Sequence, residues 1–352
     1  MSQNSPLRAA NMEYLMNTVD VVNEHLNGYP VRLPEYREYA TRQVADTIVT
    51  DYAISELIGV DWPFELITKH VSAGTVFSFE MTAAGIFFVD WGDGKIEKIV
   101  RDTNDRAVYR HEYAEEGVYG IKMRGYVTKY ANAAATRPWP GRWAELAAIS
   151  FENNRNIAEI SGSLGAIFST LPDGTNPNFQ NLFNGTTLSG EIPVELFKGI
   201  SGQPTVGMFA NAFSGSSVSK IPEGLFSDIV GVPTEGLFSE TFLYCRYLKG
   251  DLPENLFAGI SGAPADDMFD GTFYSTGVTS IPENLFGEIS GDAATGMFLE
   301  MFADTESLTG KSARIGGKYL YEIWPDADQV GGMYWWCYGL TDYDEIPTVW
   351  KE

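Results

Sequence analysis

The residues of this chain best suited to bind a ligand are aromatic and cationic side chains in its C-terminal half. They are, in chain order, Tyr244, Arg246, Tyr247, Tyr274, Trp335 and Trp336. The faces of tyrosine and tryptophan rings suit sugar rings and protein hot spots, where arginine is also enriched. We predict that these residues bind a ligand. Alternatively, these residues lie in solvent-facing turns that bind nothing, and the tryptophans belong to a structural cap.

Groups that carry catalysis or hold metals are scarce in the sequence. The histidines are His25, His70 and His111. No Cys-x-x-Cys, His-Glu-x-x-His or P-loop pattern occurs, and residues 90–94 fall short of a calcium-loop spacing. Glu223, Glu254 and Glu283 recur once per repeat, and nothing marks two of them as the facing carboxylates of a glycosidase. The sequence therefore predicts a non-enzymatic protein with no cofactor and no metal.

The composition and charge of the chain limit the classes of molecule that it is expected to bind. The chain has 352 residues, of which 44% are hydrophobic and 13% aromatic, and its formal net charge is -23. Nucleic-acid binding needs a basic surface, which this chain lacks, and no apolar run reaches the ~18 residues of a membrane span. We see no secretory signal pattern at the start. We expect a protein of the extracellular space, a cell surface or a virion, where strong acidity keeps it soluble.

The two cysteines, Cys245 and Cys337, lie in different repeats with two whole units between them. That separation is too long for the Cα distance of a disulfide, ~4.4–6.8 Å. We therefore predict two free thiols buried in the repeat region.

A sequence repeat positions the candidate binding residues. Its units start at Asn178-Phe179, Met208-Phe209, Leu237-Phe238, Met268-Phe269, Met297-Phe298 and Met333-Tyr334. Successive starts are about 30, 29, 31, 29 and 36 residues apart, a period typical of a solenoid. A second apolar pair follows four residues later, as in Ala212-Phe213, and predicts a short helix with one apolar face. In the last unit this register makes Tyr334 and Tyr338 framework residues.

The second half of each unit carries Ile-Pro or Leu-Pro followed by Leu-Phe, as in residues 221–226. Proline suits the first position of a helix and glutamate its first turn, so a further helix start is predicted there. The segments before it, such as residues 217–219 and 277–279, are β-prone and expected to be extended. Together these elements predict an α/β solenoid over residues 147–352, with residues 143–168 as an irregular entry unit and an aromatic C-terminal cap.

This arrangement resembles the irregular leucine-rich repeats of BspA-type bacterial surface proteins, whose units end in Leu-Thr-x-Ile-Pro after an aromatic helix. The resemblance covers roughly residues 147–350 and implies adhesion or receptor recognition. Between the framework positions the units differ from one another, notably at residues 243–247 and 274–277. Variable groups on a rigid scaffold often carry recognition, so we expect the ligand to bind there.

Residues 69–130 change to period-two patterning and predict a small β-sandwich. The expected strands cover residues 75–81, 85–91, 95–100, 108–113 and 118–124. The motifs Trp91-Gly92-Asp93-Gly94, His111-Glu112-Tyr113 and Gly117-Val118-Tyr119 resemble the polycystic kidney disease (PKD) domain. That resemblance implies a spacer or adhesion module. A PKD-like domain followed by such repeats is similar to surface proteins of gut bacteria and their phages.

The N-terminal segment, residues 1–68, is predicted to be helical, because its apolar residues alternate spacings of three and four as in a coiled coil. They are Met12, Leu15, Val19, Val22 and Leu26. We expect this segment to attach the chain or to join it into a homo-oligomer, and an amphipathic hairpin packed on the next domain is the alternative. Residues 131–146 are predicted to form a linker.

The sequence thus predicts a multidomain α+β protein with N-terminal helices, a small PKD-like β-sandwich and a leucine-rich-like α/β solenoid. It predicts binding of a cell-surface glycan or protein through the solenoid, on a bacterial surface or as a receptor-binding component of a phage fibre. A structural scaffold or virion decoration protein with no ligand of its own is the alternative.

Overall fold

The computed structural model describes residues 62–131, 147–325 and 330–352. In chain order the strands of these residues are β1 Phe64–Thr68, β2 Val76–Met81, β3 Ala84–Asp90, β4 Ile96–Arg101, β5 Ala107–Glu112, β6 Gly120–Lys129, β7 Ile149–Ser150, β8 Ile157–Gly162, β9 Ser189–Glu191, β10 Ser217–Lys220, β11 Lys249–Asp251, β12 Gly277–Ser280, β13 Arg314–Ile315 and β14 Lys318–Tyr319. The one α-helix among them, α1, spans Leu320–Ile323, and 3-10 helices span Tyr343–Glu345 and Thr348–Trp350.

The predicted α+β class is wrong. Strands and isolated bridges hold 29% of the described residues, helices hold 4%, and the strands form several small sheets rather than an α/β solenoid. The coiled-coil pattern of the N-terminal segment and the linker at 132–146 lie outside the described residues. Residues 64–68, which were assigned to the helical segment, form strand β1.

A β-sandwich occupies the first part of the described chain. Its larger sheet has the order β4-β3-β6-β1-β8 and its smaller sheet the order β5-β2-β7, with antiparallel pairing throughout. The five strands predicted here are confirmed as β2 to β6, because period-two burial is a strong sequence signal. Two further strands, β7 and β8, lie within residues 143–168, which were predicted to be the entry unit of the solenoid, and they complete the two sheets of the sandwich instead.

The aromatic motifs of the sandwich pack on one another at the turn after β3. Trp91 stacks on His111 with ring centroids 4.7 Å apart, and the Tyr113 hydroxyl donates a hydrogen bond to the Trp91 carbonyl oxygen at 2.9 Å. Nε2 of His111 lies 2.8 Å from Oδ2 of Asp93. Through these two contacts, His111 connects β5 to this turn.

Beyond the sandwich, units of about 30 residues lie side by side, and we call this part (residues 178–325 and 330–352) the repeat stack. Main-chain hydrogen bonds join each unit to the next, as in Phe209 N–H to Leu237 O at 3.0 Å and Phe213 N–H to Thr241 O at 2.9 Å. The extended segments before the Ile-Pro pairs are confirmed as β10 and β12, which pair in parallel with β9 and β11. The Pro-x-x-Leu segments form single turns, such as Leu196 N–H to Pro193 O, and are not helices.

The segments with two apolar pairs are chains of turns rather than the predicted short helices. Every second N–H bonds three residues back within its unit, as in Ala212 N–H to Phe209 O, and the intervening N–H groups bond the next unit. Every fourth residue has a left-handed backbone, for example Gly207, Asn211 and Gly215 with φ of 59°, 57° and 67°. An α-helix contains no such residues. The i, i+4 spacing of apolar residues thus reflects a four-residue turn repeated along the segment.

Columns of phenylalanine rings form the core of the repeat stack. One column runs Phe183, Phe213, Phe242, Phe273 and Phe302, with neighbouring centroids 5.4–5.8 Å apart. A parallel column runs Phe179, Phe209, Phe238, Phe269 and Phe298. Phe151 stacks on Phe183 at 5.4 Å and also contacts Phe64, Phe77 and Phe79 of the sandwich. The sandwich and the repeat stack therefore share one core.

The predicted register of the last unit is off by four residues. Phe302 N–H bonds Met333 O at 2.9 Å, and Tyr334 stacks on Phe302 with centroids 6.1 Å apart. Tyr334 therefore continues the column of second rings rather than that of first rings, and Tyr338, 69% exposed, is not a framework residue. Buried Trp324 covers Phe298, and buried Trp350 pairs its carbonyl with Tyr334 N–H. These residues form the aromatic cap.

Candidate functional site

One edge of the repeat stack carries the two residues that follow the second core ring of each unit, and we call it the outer edge. Its pairs are Asn184-Gly185, Ser214-Gly215, Leu243-Tyr244, Tyr274-Ser275, Ala303-Asp304 and Trp335-Trp336. In the first five pairs, the second residue donates its N–H to the carbonyl of the first residue in the next unit, over 2.7–2.9 Å. The main chain therefore fixes the order and spacing of these side chains.

Four of the predicted binding residues lie on the outer edge, and we call them the aromatic row: Tyr244, Tyr274, Trp335 and Trp336. The Tyr244 and Tyr274 rings meet edge to face with centroids 5.5 Å apart. The Trp335 and Trp336 rings lie 4.6 Å apart at a tilt of 36°. Tyr244, Trp335 and Trp336 are 47%, 38% and 41% exposed. The row thus presents two aromatic pairs to solvent.

The unit between the two aromatic pairs contributes small and acidic residues. Ala303 is buried, whereas Asp304 and Glu300 are half-buried on the same unit. Partial burial raises the pKa of Tyr274, and the neighbouring Tyr244 and the negative charges of Glu300 and Asp304 add to the increase. Glu300 and Asp304 therefore add negatively charged hydrogen-bond acceptors to the row. Sequence reasoning missed Glu300 and Asp304, although their four-residue spacing repeats that of the other left-handed positions.

The remaining two predicted residues lie beside the row. The Arg246 guanidinium carbon lies 5.9 Å from the centre of the Tyr244 ring, so its charge is next to the first aromatic pair. Tyr247 is 62% exposed, and the described residues give it no ring contact with the other five. The structure thus brings Tyr244, Arg246 and Tyr274 together, places Trp335 and Trp336 two units further along, and leaves Tyr247 outside.

Two members of the row have an unfavourable backbone conformation. Tyr244 and Trp336 have φ of 58° and 64°, at the position where the other units have Gly185, Gly215, Ser275 and Asp304 with φ of 63°, 67°, 54° and 55°. Glycine adopts this region freely and aspartate visits it, whereas a bulky side chain there is an outlier that costs roughly 1–2 kcal/mol. Strain of this kind is concentrated at functional sites.

The two cysteines are buried and free, as predicted, and each follows a residue of the row along the chain, with its own side chain in the core. The Cys245 thiol donates a hydrogen bond to the Phe213 carbonyl oxygen at 3.1 Å and the Cys337 thiol to the Phe302 carbonyl oxygen at 2.9 Å. Thr305 makes the same contact to Phe273 O at 3.0 Å. Burial raises the pKa of each thiol to about 12. Both cysteines thus replace a threonine hydroxyl in the stack.

Among residues 62–131, 147–325 and 330–352, no group of three or more His, Cys, Asp or Glu side chains is placed to hold a metal ion. No helix in this part of the chain is long and apolar enough to cross a membrane.

Comparison with protein-family models, with curated proteins and with solved structures finds no match to this chain. The PKD-like and BspA-type resemblances therefore stay predictions from the motifs. The function has to be argued from the geometry of the outer edge.

Proposed function

We propose that this chain is a recognition protein that binds a cell-surface glycan or protein through the aromatic row, without catalysing a reaction. The proposal includes its predicted setting, at a cell surface or as a receptor-binding part of a phage virion. It also includes the predicted homo-oligomer formed through the N-terminal segment, which would multiply a weak contact.

The observation that carries the proposal is the placement of Tyr244 and Trp336 at left-handed positions of the outer edge. The four equivalent units have glycine, serine or aspartate there, so the fold itself does not require a ring. Both rings are exposed by more than 40% and contribute little to the core. Two exposed aromatic residues with an unfavourable backbone conformation are accounted for when their rings contact a ligand.

The neighbouring residues support binding rather than chemistry. The rings lie on an open edge, flanked by Arg246 on one side and by Glu300 and Asp304 between the pairs. Exposed tyrosine, tryptophan and arginine are the residues that dominate binding energy at interfaces. The row therefore offers anchors, with polar groups that orient a partner.

The test is binding of fluorescently labelled protein to a panel of bacterial and animal cells, measured by flow cytometry. We expect the double variant Tyr244→Gly/Trp336→Gly to lose at least tenfold in binding to the cells that wild type stains. The matched control is Tyr338→Ala, which removes an exposed ring of the last unit that packs on Tyr343 outside the row. Equal staining by wild type and the double variant would contradict the proposal.

A further inference from the structure

The chemistry of the aromatic row also identifies the class of its ligand. We propose that the row binds an uncharged, linear polysaccharide whose chain runs parallel to the axis of the repeat stack. This inference rests on the function proposed above and deepens it.

The spacing of the rings suits an extended chain. Tyr274 and Trp335 lie two units apart, with Ala303 between them, which places the two aromatic pairs roughly 10 Å from each other at ordinary strand spacing. Ala303 is buried and carries no side chain that would fill the space between the pairs. A sugar chain repeats its apolar C–H faces at regular intervals, so one chain can contact both pairs. A compact ligand contacts only one.

The polar groups between and beside the rings suit hydroxyl groups. Main-chain hydrogen bonds from Glu300 to Gly331 and from Asp304 to Trp335 place these two residues next to the unit that carries the tryptophan pair. Their carboxylates accept hydrogen bonds, and the Arg246 guanidinium, beside Tyr244, donates them. Sugar hydroxyls both donate and accept hydrogen bonds, and hydrogen bonds to charged groups are stronger than those between neutral groups. An anionic ligand is disfavoured, because it would meet two carboxylates on a chain with a net charge of -23.

The same groups disfavour a peptide ligand. A cationic peptide would meet the positive charge of Arg246, 5.9 Å from the centre of the Tyr244 ring, and its attraction to the two carboxylates would be screened at high salt. A protein partner would bury an apolar patch depleted in acidic residues, whereas this row is interleaved with Glu300 and Asp304. The exposed aliphatic residues Val194, Val230 and Val232 belong to the second halves of their units, away from the outer edge.

Affinity electrophoresis tests the assignment. The folded full-length chain is run through gels that contain dextran, mixed-linkage β-glucan, galactomannan or arabinoxylan, with the anionic polymer alginate for comparison, at 0.05 M and 0.5 M NaCl. We expect at least one neutral polymer to retard wild type equally at both salt concentrations, because an uncharged ligand is insensitive to screening. We expect Trp335→Ala and Tyr274→Ala each to weaken the interaction at least tenfold, and Tyr338→Ala to leave it unchanged.

Chain length provides a second readout. A hexasaccharide of the retarding polymer is expected to compete at least tenfold better than its disaccharide, because only the longer chain reaches both aromatic pairs. Equal competition by the two would overturn the proposed orientation along the stack.

The polysaccharide assignment is overturned if no neutral polymer retards the protein, if the row variants are retarded as strongly as wild type, or if 0.5 M NaCl abolishes the retardation. These outcomes are distinct from failure of the proposed function. Staining of cells that depends on the row, combined with no retardation by any neutral polymer, would keep a recognition protein and make its ligand a protein. Staining that does not depend on the row would remove both.

Discussion

The backbone N–H of Tyr244 donates a hydrogen bond to the carbonyl oxygen of Tyr274 at 2.9 Å. Two tyrosines from neighbouring units are therefore held in position by the main chain, and their edge-to-face contact is a consequence of that bond. Because the same main-chain bond joins Gly215 to Leu243 and Gly185 to Ser214, the stack does not depend on a ring at this position. Binding and stability can thus be separated at this residue.

We predict that Tyr244→Gly abolishes ligand binding without lowering the free energy of unfolding. Glycine relieves the left-handed strain of roughly 1–2 kcal/mol, and the greater freedom of its unfolded chain cancels about 0.5–1 kcal/mol of that gain. Urea unfolding is expected to give a free energy equal to that of wild type or up to about 1 kcal/mol higher.

The matched control for Tyr244→Gly is Gly215→Ala, which introduces a side chain at the equivalent position of another unit. An added Cβ there meets its nearest neighbour, Gly185 Cα, at 3.8 Å, which is ordinary contact. The free energy of unfolding of Gly215→Ala is therefore expected to fall by about 1–2 kcal/mol because of the left-handed backbone and not because of a steric clash. A Tyr244→Gly variant destabilised by more than 1 kcal/mol would show that the ring supports the fold.

A second prediction concerns the core of the stack. Phe242 lies between Phe213 and Phe273, with centroids 5.4 Å and 5.5 Å away, and is fully buried. Phe242→Ala removes both stacking contacts and leaves a cavity, so we expect a loss of about 3–5 kcal/mol in the free energy of unfolding. Tyr338→Ala, at the surface, should change it by less than about 0.5 kcal/mol. Similar values for the two variants would contradict the ring column.

A third prediction concerns the thiols. Since both cysteines are buried and their pKa values are raised to about 12, the native protein at pH 8 should not react with a thiol reagent such as DTNB. Two thiols per chain should react in 8 M urea. Rapid labelling of the native protein would mean that the stack opens at Cys245 or Cys337.

The role of Cys245 as a replacement for threonine gives a fourth prediction. Cys245→Thr keeps the donor to the Phe213 carbonyl and should leave the free energy of unfolding within about 1 kcal/mol of wild type. Valine has a shape similar to that of threonine but no hydrogen-bond donor, so Cys245→Val should be less stable than Cys245→Thr by about 1 kcal/mol. Equal stability of the two variants would show that the hydrogen bond contributes nothing.

A fifth prediction concerns acid. Desolvation opposes the ionised form of Asp93, but its hydrogen bonds with His111 and Lys95 N–H outweigh this, and the pKa of Asp93 is lowered. A carboxyl whose folded pKa is depressed stabilises the fold above its unfolded pKa, about 3.9, and loses this contribution as pH falls through the folded value. The stability difference between wild type and Asp93→Asn should therefore be larger at pH 6 than at pH 2.5.

The control for this pH experiment is Asp292→Asn, which changes an exposed carboxyl in the repeat stack. Its difference from wild type should stay small at both pH values. A difference for Asp93→Asn that is the same at pH 6 and pH 2.5 would show that ionisation of Asp93 does not stabilise the sandwich.

The sandwich was predictable because alternation in burial leaves an unambiguous pattern. In β2, Phe77, Phe79 and Met81 point into the core, and intervening residues face outward. The joining of β7 and β8 to these sheets was not predictable, because their pairing with β2 and β1 spans long stretches of chain and no local pattern encodes it.

The turns of the repeat stack were not predicted, because the four-residue turn and the α-helix place apolar residues at the same spacing. Phe209 and Phe213 satisfy both. The distinguishing signal was the residue between them: glycine or asparagine recurs every fourth position at 207, 211 and 215, and these residues tolerate a left-handed backbone.

Part of the candidate site was accessible from the sequence. Tyr244, Tyr274, Trp335 and Trp336 were found because they break the small and polar pattern of the other units. The sequence did not show which tryptophans face solvent, because Trp335 and the buried Trp350 can be distinguished only once the repeat register is known. A 32-residue step from Met301 to Met333 fits the period better than 36 and identifies the correct register.

The ring of Phe151 contacts both the sandwich and the first unit of the stack. A pulling force applied at the outer edge therefore passes into the sandwich through packed side chains and main-chain bonds rather than through a flexible joint. Under shear flow, the described part of the chain should transmit force as one rigid body, without an internal segment that extends under load.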